Sequence, residues 1–233
     1  MTYAQAMKEL KRMGTAQNRK VYARHGIGEN MFGVSFANLN SLQKAIKTDH
    51  ELAVKLWESG NHDARVLATM VADPSGLDSS TLDAWAKDLD NYVITDCLSS
   101  LAAKAPHARR KMEKWTRSKQ EWIGRAGWTM LSRITMSGEH LTDGELESYL
   151  KIIESAIHKS KNRVRDAMNM AVVNIGLCNS GMEKKAIAAA KRIGKVEVDY
   201  GETGCITPDA IEYIKKTKAH RARQAAKSKS KPR

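Results

Sequence analysis

Asp96 is a carboxylate in a row otherwise set with arginines. Arg65, Asp96, Arg125 and the pair Arg163/Arg165 fall in successive apolar-periodic segments about 30 to 40 residues apart, the spacing of stacked helical repeats. One acid on a basic surface points to chemistry on a polyanion. Tyr92 stands one helical turn before Asp96, so its ring either covers the same spot and contacts a sugar or base, or marks an amphipathic boundary. Arg125 suits a phosphate, or it pairs with Glu121 one turn earlier, a contact worth a few tenths of a kcal/mol on an exposed helix.

The elements that must position these residues are helices. At about 100° per residue, Ile94, Cys97, Leu98 and Leu101 share one face and Tyr92 and Asp96 lie on the other. On the next long helix the wheel puts Ile123, Gly127, Met130 and Ile134 inward and Arg125, Trp128 and Ser132 outward. Thr48-Asp-His-Glu51, Ser118-Lys-Gln-Glu121 and Thr142-Asp-Gly-Glu145 each fit a capping box, and Thr207-Pro208 adds a further start. The spacing predicts helices over 2–13, 15–25, 36–47, 49–59, 61–72, 79–89, 91–104, 107–116, 119–136, 142–158, 161–178, 182–193 and 207–226. From residue 49 onward they come in pairs. Such pairs bury their apolar faces only by stacking into a solenoid, with the second helices lining one surface. Residues 195–205 are less helical and read as an extended loop or short strand.

Composition agrees with an all-α fold. Of 233 residues, 42% are apolar, with two Phe and four Pro, and Ala, Leu, Lys, Met and Glu recur throughout. The net charge of +13 favours nucleic acid first and an anionic membrane second, but nine Lys or Arg lie between Lys215 and Arg233, which leaves +4 for the rest. Cys97, Cys178 and Cys205 are too few and too scattered for a disulfide framework. No signal peptide and no run of 18 apolar residues is present, so the expectation is a soluble, cytoplasmic and monomeric protein without a membrane partner.

Other candidates are weaker. Arg65, Lys161, Arg163 and Arg165 fit phosphate contacts, or the charges of any solvated helix face. Trp57, Trp85 and Trp115 read as core, whereas Trp122 and Trp128 flank Arg125 and suit either the core or a DNA surface. Asp199-Tyr-Gly-Glu-Thr-Gly-Cys205 lacks the paired Cys or His spacing of a zinc site, and His62-Asp63 reads as a helix start rather than a dyad. Neither a Gly-rich phosphate loop nor a nucleophile triad occurs, so no metal and no cofactor is expected.

Phe32-Gly-Val34, then Leu39 and Leu42, Leu56-Trp57-Glu58, Asp63-Ala-Arg65 and Asp73-Pro74 resemble the bacterial DNA alkylation-repair family of AlkD type. The resemblance continues through Tyr92…Asp96, Trp122…Arg125-Ala126 and the helix Val164–Ile175, over roughly residues 15 to 195. It implies a HEAT-like solenoid whose concave basic face holds duplex DNA, and a glycosylase that removes cationic purines such as 3-methyladenine and 7-methylguanine. Residues 1–213 are then one solenoid domain, and 214–233 a basic, disordered tail. The resemblance places the catalytic aspartate on Asp96 and the arginine that helps hold the DNA backbone on Arg125. Two family tryptophans that flank the lesion-bearing sugar and phosphates are replaced by Tyr92 and Met170. A cationic base leaves as a neutral species without a general acid, so one carboxylate that stabilises the developing sugar cation and orients water is enough.

Three functional classes fit these residues. They are an alkylpurine DNA glycosylase acting on double-stranded DNA, a non-catalytic relative that recognises damaged or branched DNA, and a protein-interaction scaffold. A mainly basic face argues against the third.

Overall fold

Short polar side chains start most of the helices. Thr2, Thr15, Ser35, Asp49, Asn61, Asp78, Asn91, Thr142 and Asn179 each accept a hydrogen bond from a first-turn amide, a contact worth about 1 kcal/mol apiece. The computed structural model describes residues 1–138 and 141–229. Its thirteen α-helices are α1 (Tyr3–Met13), α2 (Ala16–Arg24), α3 (Phe36–Ile46), α4 (His50–Glu58), α5 (His62–Val71), α6 (Ser79–Lys87), α7 (Tyr92–Ala102), α8 (Ala108–Trp115), α9 (Glu121–Ser137), α10 (Asp143–Ala156), α11 (Asn162–Gly176), α12 (Ser180–Ile193) and α13 (Ala210–Lys229). Among the described residues there is no strand, and the segment 195–205 is loop. No helix among them is long and apolar enough to cross a membrane.

The expected caps are partly displaced. Thr142 forms the full capping box with Glu145. Asp49 rather than Thr48 caps α4, with its carboxylate 3.0 Å from the Leu52 amide. Helix α13 starts at Ala210, where Asp209 accepts the Glu212 amide, and not at Pro208.

Where the sequence suggests a single domain over 1–213, the helices group into two compact units. The first comprises Met1–Met130 with Asp199–Cys205, and the second comprises Leu131–Val198 with the chain from Ile206 onward.

In the first unit, side-chain bonds sort the helices into two layers. Trp57 of α4 stacks on Trp85 of α6 with ring centroids 4.3 Å apart, and Asp83 of α6 accepts from Lys111 and Trp115 of α8. Ser99 of α7 donates to the Ala126 carbonyl of α9, while the Asn91 amide that caps α7 lies 3.5 Å from the His62 ring nitrogen of α5. Helices α4, α6 and α8 therefore make one layer and α5, α7 and α9 the other, with Leu56, Leu67, Leu82, Ile94 and Leu98 buried. Two of the motif segments also meet here. The buried Asp63 carboxylate accepts the amides of Phe32, Gly33 and Val34 at 2.6, 3.0 and 2.8 Å, a role different from the helix start that His62-Asp63 suggests. Gly33 is required at this turn, with φ of 80° and no room for a Cβ beside the Thr15 carbonyl.

In the second unit α11 packs against α12 and α13, and α10 against α12. Val164, Ala167, Met168, Ala171, Val172, Val173 and Ile175 of α11 are all buried. The helix expected over 207–226 is present as Ala210–Lys229, so the tail expected to be disordered from 214 is helical as far as Lys229. Its first turns are anchored by Ile214, which is fully buried, and by Lys218, which bonds to Glu183, and the Asn169 amide donates to the Pro208 carbonyl just before it at 2.9 Å. Residues 230–233 of that expectation lie outside the described residues.

Candidate functional site

Asn91 starts the helix that carries the key carboxylate. Its side-chain oxygen accepts the amides of Val93 and Ile94, which fixes Tyr92 and Asp96 in the first turns of α7. Ile94, Leu98 and Leu101 face the core, as the wheel predicts, Cys97 from the same expected face is only half-buried, and Tyr92 and Asp96 are half-buried on the other side.

Across from Asp96 stands α9. Arg125 Nε donates to Asp96 Oδ1 at 3.0 Å and Nη2 to Oδ2 at 2.9 Å, a fork-to-fork pair. Thr129, one turn after Arg125, reaches Oδ1 at 3.5 Å. The guanidinium carbon sits 5.6 Å from the centre of the Tyr92 ring, and the Tyr92 hydroxyl lies 2.8 Å from His25 Nδ1 at the end of α2. The result is a continuous cluster of His25, Tyr92, Arg125, Asp96 and Thr129.

The outward face expected for α9 is corrected. Arg125, Trp128 and Ser132 are all buried, with Trp128 only 1% exposed, so Trp128 is not a DNA-contacting side chain. Helix α9 is packed on more than one side. At Gly127 an added Cβ would stand 2.2 Å from the Thr116 amide nitrogen, so the end of α8 covers the back of this helix. Nor does Arg125 extend outward toward phosphate. Its side chain is 8% exposed, against 33% for Asp96.

Tyr92, Asp96 and Arg125 come together as the sequence suggests, whereas Arg65 is engaged elsewhere. Its Nη2 pairs with Asp88 Oδ2 at 3.2 Å, its Nε donates to the Trp57 carbonyl, and its guanidinium lies over the Trp57 ring. Trp122 is half-buried. Lys161, Arg163, Arg165 and Met170 belong to the second unit, where Lys161 is exposed and the other three are half-buried. Sequence reasoning missed His25 and Thr129. The Arg125-to-Thr129 spacing of one turn was a usable signal, but nothing local marks His25, 67 residues from its partner.

Nearby, burial pushes the His62 imidazole below its usual pKa, against the opposing pull of Asp63 and Asp90. No group of three or more His, Cys, Asp or Glu side chains among the described residues could hold a metal ion. Chemically, the cluster offers a fixed carboxylate with a buried counterion and an aromatic ring at its edge.

A model of the family described as "DNA alkylation repair enzyme" matches residues 6–214. Proteins of Listeria innocua and Listeria monocytogenes, both described as uncharacterized, are each 28% identical over 225 residues, covering 94% of this chain and 98% of theirs. A solved structure described as "A new family of proteins related to the HEAT-like repeat DNA glycosylases with affinity for branched DNA structures" superposes with a TM-score of 0.86 and 26% identity, over 94% of this chain and 95% of that one. The fold is thus an all-helical HEAT-like repeat fold.

Proposed function

Because the chain belongs to the family of DNA alkylation repair enzymes, we propose that it is a DNA-binding repair protein that recognises branched or damaged DNA without hydrolysing N-glycosidic bonds. The observation that carries this reading is the fork-to-fork pairing of Asp96 with Arg125. A lone carboxylate about 4 Å from a developing sugar cation is worth about 4 kcal/mol at an effective dielectric of about 20, and a guanidinium about 7 Å away takes back more than half of that. An arginine bound to both oxygens therefore removes much of the field that would drive bond cleavage. The net charge of +13 and the structural relative described as having affinity for branched DNA support the binding half of the proposal.

A second reading is hydrolysis of cationic alkylpurines. It is favoured by the exposure of the Asp96 side chain, 33%, which leaves carboxylate lone pairs facing solvent beside the Tyr92 ring. One experiment separates the two. Methylated duplex DNA is incubated with wild type and Asp96→Asn, and release of 3-methyladenine and 7-methylguanine is measured alongside affinity for a four-way junction and a linear duplex. Junction binding with no release supports the first reading. Release that vanishes in Asp96→Asn replaces it with the second.

A further inference from the structure

Helix α8 and its flanks carry charge that the Asp96 site does not use. From Lys104 to Lys119 the chain holds seven Lys or Arg against one acid, Glu113. Six of the seven are exposed, and only Lys111 turns inward. Part of this charge is matched. Arg109 pairs with Glu113 at 3.1 Å, while Asp83 of α6 takes both Lys111 and Lys114, at 2.9 and 2.7 Å, so that two cations share one carboxylate. Lys104, Arg110, Arg117 and Lys119 make no ion pair among the described residues. Arg110 and Lys114 lie one turn apart on α8, and Arg117 follows in the turn just beyond its end, so the three form a short basic stripe along the chain.

This stripe belongs to the α4–α6–α8 layer of the first unit, whereas Asp96 and Arg125 belong to the α5–α7–α9 layer. A linear duplex is stiff over about 50 nm and cannot serve two layers without bending. A branched DNA presents separate arms at no such cost. We infer that the exposed face of residues 104–119 is a second phosphate-binding surface, which holds one arm of a branched DNA while the Asp96 face meets another. The inference rests on the DNA-binding reading above. Its chemistry is charge contact with a phosphate backbone, without base readout, because the four unmatched side chains are all exposed Lys or Arg on helix and turn.

The test is the variant Lys104→Ala/Arg110→Ala/Arg117→Ala/Lys119→Ala, compared with wild type on a four-way junction and a linear duplex across a salt series. Linear-duplex affinity should stay within about two-fold, junction affinity at about 0.1 M salt should fall about ten-fold or more, and the log–log salt slope for the junction should flatten by about 3. Arg110→Lys/Arg117→Lys, which keeps the charge, should bind the junction like wild type. Unchanged junction binding in the fourfold variant overturns the inference, and so does an equal loss on linear duplex. Wild-type protein that binds neither DNA overturns the parent reading instead.

Discussion

Arg125 grips both oxygens of Asp96 from the neighbouring helix, at 3.0 and 2.9 Å, with its own side chain almost wholly buried. A guanidinium taken out of water needs a counterion, and Asp96 is the acid that meets it. Asp96 therefore has a structural duty whatever it does for DNA. Any loss of function on changing it has to be separated from a loss of fold.

Arg125→Ala is expected to cost about 3 kcal/mol in urea unfolding, the usual penalty for breaking a buried pair. Asp96→Asn should cost about as much, about 3 kcal/mol, since it leaves the buried guanidinium without its counterion even though an amide oxygen still accepts one bond. A double-mutant cycle between the two positions should give a coupling of about 1 kcal/mol or more. Additive effects would show that the pair is not formed in solution.

Tyr92→Phe keeps the ring beside Arg125 and removes the hydroxyl that bonds His25, so it should lower stability by about 1 kcal/mol. Combining it with His25→Ala should add little further. Thermal unfolding of the single and double variants checks this, and a full second loss would deny the His25 contact.

Gly127→Ala should destabilise the protein by about 3 kcal/mol, since its Cβ would meet backbone, 2.2 Å from the Thr116 nitrogen and 2.5 Å from the Trp115 carbonyl carbon. Backbone cannot swing aside as a side chain can. Because α9 must shift to relieve the clash, Arg125 moves with it, and DNA affinity should fall together with the unfolding midpoint.

Acid stability should report on Asp83. Burial raises its pKa, but hydrogen bonds from Lys114, Lys111 and Trp115 outweigh that and hold the carboxyl at about 2. A carboxyl whose folded pKa lies below its unfolded value of about 3.9 contributes stability that is fully present above about pH 4 and lost as pH falls toward about 2. Asp83→Asn should be less stable than wild type by about 3 kcal/mol at neutral pH, since it leaves the buried Lys111 without its counterion. The two unfolding midpoints should converge as pH drops through that window, and a gap that stays constant below it would reject the assignment.

The face of α7 was legible because one side of that helix is buried and the other is not, so apolar spacing at Ile94, Leu98 and Leu101 carries the orientation. The same reasoning failed on α9. With the end of α8 behind Gly127 and α7 alongside Ala126, that helix lacks an open outer side at Arg125 and Trp128, and a wheel can rank faces but cannot show that its polar face is covered there. The tail misled for a related reason. A run of Lys and Arg reads as solvated, yet Ile214 at its start packs on α11 and the ion pair of Lys218 with Glu183 ties α13 to α12 within the second unit.

By itself the sequence determined the helices, most of their ends and the segments that mark the family, since caps, turns and 3.6-residue periodicity are local physics written within a few residues. Tertiary structure alone decided what Asp96 is bonded to, that Arg125 is spent on it, and that His25 steadies Tyr92. Those contacts join residues 29 and 67 positions apart, and their geometry depends on how neighbouring helices stack and rotate, which no single stretch of chain encodes.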